Sequence, residues 1–128
     1  MRIALVRYRN SILEALEIFR DLFPGFSMGH MISFLYACEN EGLTLLDLSQ
    51  VSGFYLATAS RSIRAFCDPN AEGATAPALG LIELRPSRQG KKIYLTDAGQ
   101  KFRAQLEAII ASASAISPSS LAADVAAA

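Results

Sequence analysis

Four basic side chains, Arg85, Arg88, Lys91 and Lys92, fall within eight positions and no acid lies among them. Cations at that density suit phosphate, because each donates charge-assisted hydrogen bonds to an anionic oxygen. A charge run is equally a solvated face, so its meaning depends on the element that carries it. A second group, Ala57, Thr58, Ser60, Arg61 and Arg64, combines short side chains with hydrogen-bond donors, again without an acid. Short side chains permit close approach to base edges, and the donors serve bases or phosphates.

Other reactive side chains are isolated. Cys38 and Cys67 lack the CxxC or Cys/His spacing of a zinc or redox site, so neither a metal nor a disulfide framework is expected. His30, the single histidine, falls at the polar edge of a helix without partners for catalysis. An enzyme would need a nucleophile beside a base, two carboxylates in contrasting environments or a glycine-rich phosphate cradle, and none is visible. No enzymatic activity and no cofactor are expected.

The elements that must position the two basic groups follow from capping and periodicity. Ser11-Ile-Leu-Glu14 reads as a capping box that opens a first helix, which Pro24-Gly25 stops. Ile12, Leu16, Phe19 and Phe23, flanked by Ala15, Ile18 and Leu22, form an apolar arc wider than one-sided burial needs. Ser27 caps a second helix to about Glu41, with Met28, Met31, Ile32, Phe34, Leu35 and Cys38 on one side and Gly42 as its terminator. Thr44-Leu-Leu-Asp47 is another capping box, and the short helix it opens runs out near Ser52-Gly53. A further helix is predicted from Tyr55 to about Phe66, with Ala59, Ile63 and Phe66 facing inward. Two short helices about a three-residue turn containing Gly are a helix-turn-helix.

Residues 68–79, rich in Pro, Gly and Ala, read as a loop. Residues 81–86 and 91–96 read as two strands joined by Ser87-Arg-Gln-Gly90, with Arg88 at the tip. Pairing Leu84 with Ile93 and Ile82 with Leu95 puts the apolar residues on one face and Glu83, Arg85, Lys92 and Tyr94 on the other. Thr96 and Asp97 open a last helix to about Ile116, where Ser117-Pro118 ends it. Phe102, Leu106, Ile109, Ala113 and Ile116 follow the spacing of a helix that packs along another, either the first helix or a second subunit. Residues 117–128 are expected to be a flexible tail.

The chain is thus mainly α with a small β-hairpin: a winged helix-turn-helix whose second helix enters the major groove and whose hairpin reaches flanking backbone or minor groove. One domain covers 1–128, with N-terminal helices over 10–41, the helix-turn-helix over 44–67, the wing over 80–96 and the C-terminal helix over 97–116. The expected subunit contact is Ile12, Leu16, Phe19, Phe102, Leu106, Ile109 and Ile116. The expected partner is double-stranded DNA, and a protein-interaction module without DNA binding is the alternative.

Net charge is zero, with 12 basic and 12 acidic side chains among 128 residues, yet the charges are segregated. Residues 10–50 hold one base against six acids, whereas residues 51–95 hold six bases against three acids. Apolar runs are too short for a membrane span or a secretory leader, so no membrane partner and a cytoplasmic location are expected.

LTLLDLSQVSGFYLATASRSIRAF, followed by GLIELRPSRQGKKIYLTDAG, resembles the DNA-binding core of MarR-type transcriptional regulators over roughly residues 43–103. The run LTDAG at 95–99 after a basic hairpin carries the strongest local likeness. The resemblance implies a homodimer built by the N- and C-terminal helices, a pseudo-palindromic operator, and a pocket for a small aromatic or phenolic effector between those helices and the reading head.

Overall fold

A computed structural model describes residues 10–112 and residue 116. The arginines within residues 1–9, residues 113–115 of the expected last helix and the expected flexible tail at 117–128 lie outside the described residues, and Ile116, where that helix was expected to end, is not helical. Five helices and one hairpin follow in the order α1 (Ser11–Leu22), α2 (Met28–Glu39), α3 (Leu45–Ser52), α4 (Leu56–Arg64), β1 (Ile82–Arg85), β2 (Lys92–Leu95) and α5 (Asp97–Ser112).

The start of α1 differs from the expected capping box. Asn10, in an extended conformation, caps it by accepting from the Leu13 N–H at 2.7 Å. Ser11 instead donates its hydroxyl to the Ile109 carbonyl at 3.1 Å, tying α1 to α5. An Asn one position earlier reaches an orphan N–H of the same first turn.

α1 runs antiparallel to α5, since Ser11 meets Ile109 at one end and Phe19 meets Phe102 at the other, with ring centroids 5.1 Å apart. Phe19 also meets Phe26 and Phe34 edge-on, while Phe66 lies against both Phe26 and Phe34 at 4.9 Å. These five rings form the centre of the core and join α1, α2, α5 and the end of the helix-turn-helix. Consequently Phe19, Phe102 and Leu106, expected at a subunit contact, are buried inside the protomer. Their spacing serves packing between α1 and α5, whereas Ile12, Leu16 and Ile116 are exposed and Ile109 is half-buried.

The buried face of α2 is also rotated from the expected one. Ser33, Phe34 and Ala37 are buried, whereas Met28 and Leu35 are exposed. Gly29, Ser33 and Ala37 recur every fourth residue, a small-residue seam that lets α2 lie close to Ala59, Ser62 and Ile63 of α4. At the start of α2, Ser27 and His30 form a reciprocal capping box, with the Ser27 N–H donating to His30 Nδ1 at 3.1 Å.

Each wing partner predicted for β1 and β2 is found, with Ile82 opposite Leu95 and Leu84 opposite Ile93. Residues 42–45 add a short third pairing along β2, through Gly42 N–H to the Ile93 carbonyl and Ile93 N–H to that of Leu43, both 2.7 Å. At the wing's root Thr96 donates to the Gly80 carbonyl at 2.6 Å and accepts from the Gly99 N–H at 3.1 Å. A Cβ on Gly99 would stand 2.0 Å from the Leu81 carbonyl oxygen, so LTDAG needs glycine at its last position.

Gly99→Ala should destabilise the fold by about 1–3 kcal/mol in urea unfolding, because backbone must move to admit a methyl group. In the α2–α4 seam a Cβ on Gly29 meets nothing closer than 3.6 Å, so Gly29→Ala should be neutral or slightly stabilising. Desolvation lowers the His30 pKa from 6.5, and its Nδ1 accepts a proton-bearing N–H, so the fold favours the neutral ring. Stability should be full above pH about 6.5, the unfolded value, and fall as acidification below it protonates the ring. His30→Gln, which keeps a capping-box partner, should flatten that decline.

Candidate nucleic-acid interface

α4 owes its outward face to what its inward face buries. Ala59, Ser62 and Ile63 point into the core, which leaves Ala57 and Arg61 exposed on the opposite side. Thr58, Ser60 and Arg64 are half-buried at its edges. The turn before it is fixed by Gly53 at φ +77° and by the Ser49 hydroxyl, which donates to the Phe54 carbonyl at 2.7 Å. Tyr55 gives α4 no side-chain cap.

The wing stands beside this helix. Ser60 and Arg64 of α4, Leu56 at its start, and Gln89 and Lys91 of the wing line one hollow of about 350 Å³, together with Leu46 of α3. Lys92, the next residue and the first of β2, lines a neighbouring hollow with Gln89, Leu46 and Asp47. Arg88 is exposed at the tip, where Ser87 and Gly90 exchange backbone hydrogen bonds and Gly90 adopts φ +107°.

Two of the expected phosphate-binding arginines are already engaged. Arg85 stacks over the Tyr94 ring at 4.1 Å and pairs with Glu83 at 3.2 Å, on the outer face of the hairpin. Arg64 donates from Nε to the Ser60 hydroxyl at 3.0 Å and from Nη1 to the Glu72 carbonyl at 3.1 Å. The loop at 68–79 folds back over the end of α4. Thr75 donates its N–H to the Arg64 carbonyl at 3.2 Å and its hydroxyl to that of Arg61 at 3.4 Å, a second bond to carbonyls that already accept from the Cys67 and Ala65 N–H groups. Gly73 comes so close that a Cβ there would stand 2.4 Å from Arg64 Nη1. The loop is thus the C-terminal brace of α4, which its Pro/Gly/Ala composition did not disclose.

Thus α4 and Lys91 share one site, Lys92 lines the hollow adjoining it, Arg88 is exposed at the tip beside Gln89, and Arg85 is turned to the outer face of the hairpin. Sequence reasoning missed Leu46, Tyr55, Leu56 and Gln89. The signal for Tyr55 and Leu56 was their position at the head of a helix whose inward set starts only at Ala59.

Elsewhere the thiols are quiet. Burial pushes the Cys38 thiol up to about 12 and also raises that of Cys67. Both cysteines are free. Among the described residues no group of three or more His, Cys, Asp or Glu could hold a metal ion, and no helix is long and apolar enough to cross a membrane. A groove of about 350 Å³ between α2 and α5 is lined by Leu35, Cys38, Arg103, Leu106 and Ile110 among others.

No known family's sequence pattern matches the chain, and no curated protein does. Solved structures do share its fold. A MarR transcriptional regulator from Methanosarcina mazei Go1 is 17% identical with a TM-score of 0.56, over 80% of this chain and 65% of that one. RV1404 from Mycobacterium tuberculosis is 15% identical with a TM-score of 0.57, over 77% of this chain and 62% of that one. Disulfide-formed AbfR is 16% identical with a TM-score of 0.52, over 88% of this chain and 77% of that one. The chain therefore has the winged-helix fold of MarR-type regulators, and it spans just under two thirds of the length of the first two.

Arg64→Ala should leave the helical circular dichroism unchanged and make 68–79 the first site of limited proteolysis, because the loop loses its anchor at Glu72.

Proposed function

We propose that the protein is a sequence-specific regulator of transcription that binds double-stranded DNA, with α4 in the major groove and the wing on flanking backbone or minor groove. The observation that supports this reading is the acid-free α4, whose Leu56, Ser60 and Arg64 edge shares one hollow with the basic wing at Lys91 while Arg61 stands exposed beside it. Arg61, Arg88, Lys91 and Lys92 are the phosphate or base donors in this reading. Ala57, Thr58 and Ser60 make the close contacts. Arg64 acts chiefly by holding the helix end, and Arg85 by holding the hairpin.

The same reading makes the protein a cytoplasmic homodimer. Exposed Ile12, Leu16 and Ile116, with half-buried Ile109, supply apolar surface for a subunit contact. Two α4 helices about 34–36 Å apart would then meet an inverted repeat. The groove between α2 and α5 has the size for a small aromatic effector, with Leu35, Cys38, Leu106 and Ile110 as apolar lining and Glu39, Arg103 and Glu107 as charged groups.

With four basic contacts per protomer, log affinity against log salt should have a slope of about −3 to −4 per protomer by fluorescence anisotropy on duplex DNA. Arg88→Ala should reduce that slope by about one unit, and Arg61→Ala should relax discrimination at the base pair it contacts without unfolding the protein. Retention unaffected by salt and by both substitutions would instead favour a protein-interaction module.

A further inference from the structure

Resting on the DNA-binding reading, the geometry points to thymine methyl groups as the feature that the head of α4 selects. The outward surface there is apolar to a degree that phosphate binding does not need. Tyr55 is 86% exposed and Leu56 48%, and Ala57 next to them is exposed as well. Leu46 of α3, 53% exposed, lies with Leu56 in the hollow that Lys91 and Arg64 close.

Basic groups border this strip. α4 carries no acid, Arg61 is exposed one turn beyond Ala57, and Arg88 stands on the adjoining wing tip. Apolar side chains inside a cationic frame fit a polyanion that carries apolar spots of its own. In the major groove of B-DNA those spots are the C5-methyl groups of thymine, which apolar side chains contact.

The competing base feature is the guanine edge, which calls for a long, free, bidentate cation. Arg64, the second arginine of α4, spends Nε on Ser60 and Nη1 on the Glu72 carbonyl. Arg61 remains for one such contact. The first turn, where Tyr55, Leu56 and Ala57 stand, has no donor of that kind. Leu56 and Tyr55 are therefore specificity-determining residues that read A·T pairs by their methyl groups.

The test selects duplexes from a random-sequence pool with the full chain, then replaces each thymine of the best site by deoxyuridine. That exchange removes one methyl group and leaves every base-pairing group in place. The expected result is at least one thymine per half-site whose replacement weakens binding by about threefold to tenfold, the worth of one or two buried carbon groups. Leu56→Ala or Tyr55→Ala should remove the sensitivity at that position, whereas Arg88→Ala should retain it, which separates contact from altered DNA shape. Tight binding that no deoxyuridine disturbs would overturn the methyl reading and leave DNA binding standing. Selection of no duplex at all would overturn both. Should either α4 variant fail to fold, the deoxyuridine series on the unsubstituted protein still decides.

Discussion

Edge-to-face packing of Phe19 against Phe34 and Phe102 is the contact on which the rest of the molecule depends. It closes α1 onto α2 and α5, and through Phe34 and Phe26 it reaches Phe66. Phe66 lies just beyond α4, so the ring cluster fixes where the helix-turn-helix sits relative to the outer helices. Such ring pairs contribute about 0.5–1.5 kcal/mol each beyond the area they bury. The same cluster leaves α1 with apolar residues to spare. Phe19 is consumed, while Ile12, Leu13 and Leu16 remain exposed on the same helix.

The head of the molecule is organised by a division of labour among cations. Of the six bases between residues 51 and 95, Arg64 and Arg85 are held by neighbours of this chain. Arg61 and Arg88 are exposed, while Lys91 and Lys92 line two adjoining hollows. A surface pair such as Arg85–Glu83 adds little to stability, and its stacking on Tyr94 serves instead to orient the strand's outer face. Counting basic residues along a sequence therefore overstates the free positive charge.

Much of the fold was legible because its signals are local. Thr44 with Asp47, Ser27, Thr96 and the hairpin register all depend on residues within a few positions of one another, and each is found. What was not legible depends on distant partners. The α2–α4 seam uses Gly29, Ser33, Ala37 and Ser62, small or polar residues that hydrophobic periodicity ignores. Asn10 displaced Ser11 as cap because Ser11 finds Ile109, 98 residues away. The spacing of Phe102 and Leu106 was correctly read as helix packing, but spacing alone does not distinguish a neighbour in the same chain from one in another. At the site, Arg61 and Arg88 were legible as exposed bases, whereas the tethering of Arg64 depended on a loop whose path no short-range signal encodes.

The junction at Gly99 has a mechanical meaning. With room for only a hydrogen between that glycine and the Leu81 carbonyl, and with Thr96 bonded to both Gly80 and Gly99, the wing has no play at its root. Hairpin and α5 form one stiff lever. Any tilt of that helix would therefore have to carry the root of the ribbon with it, since the two are in contact backbone to backbone.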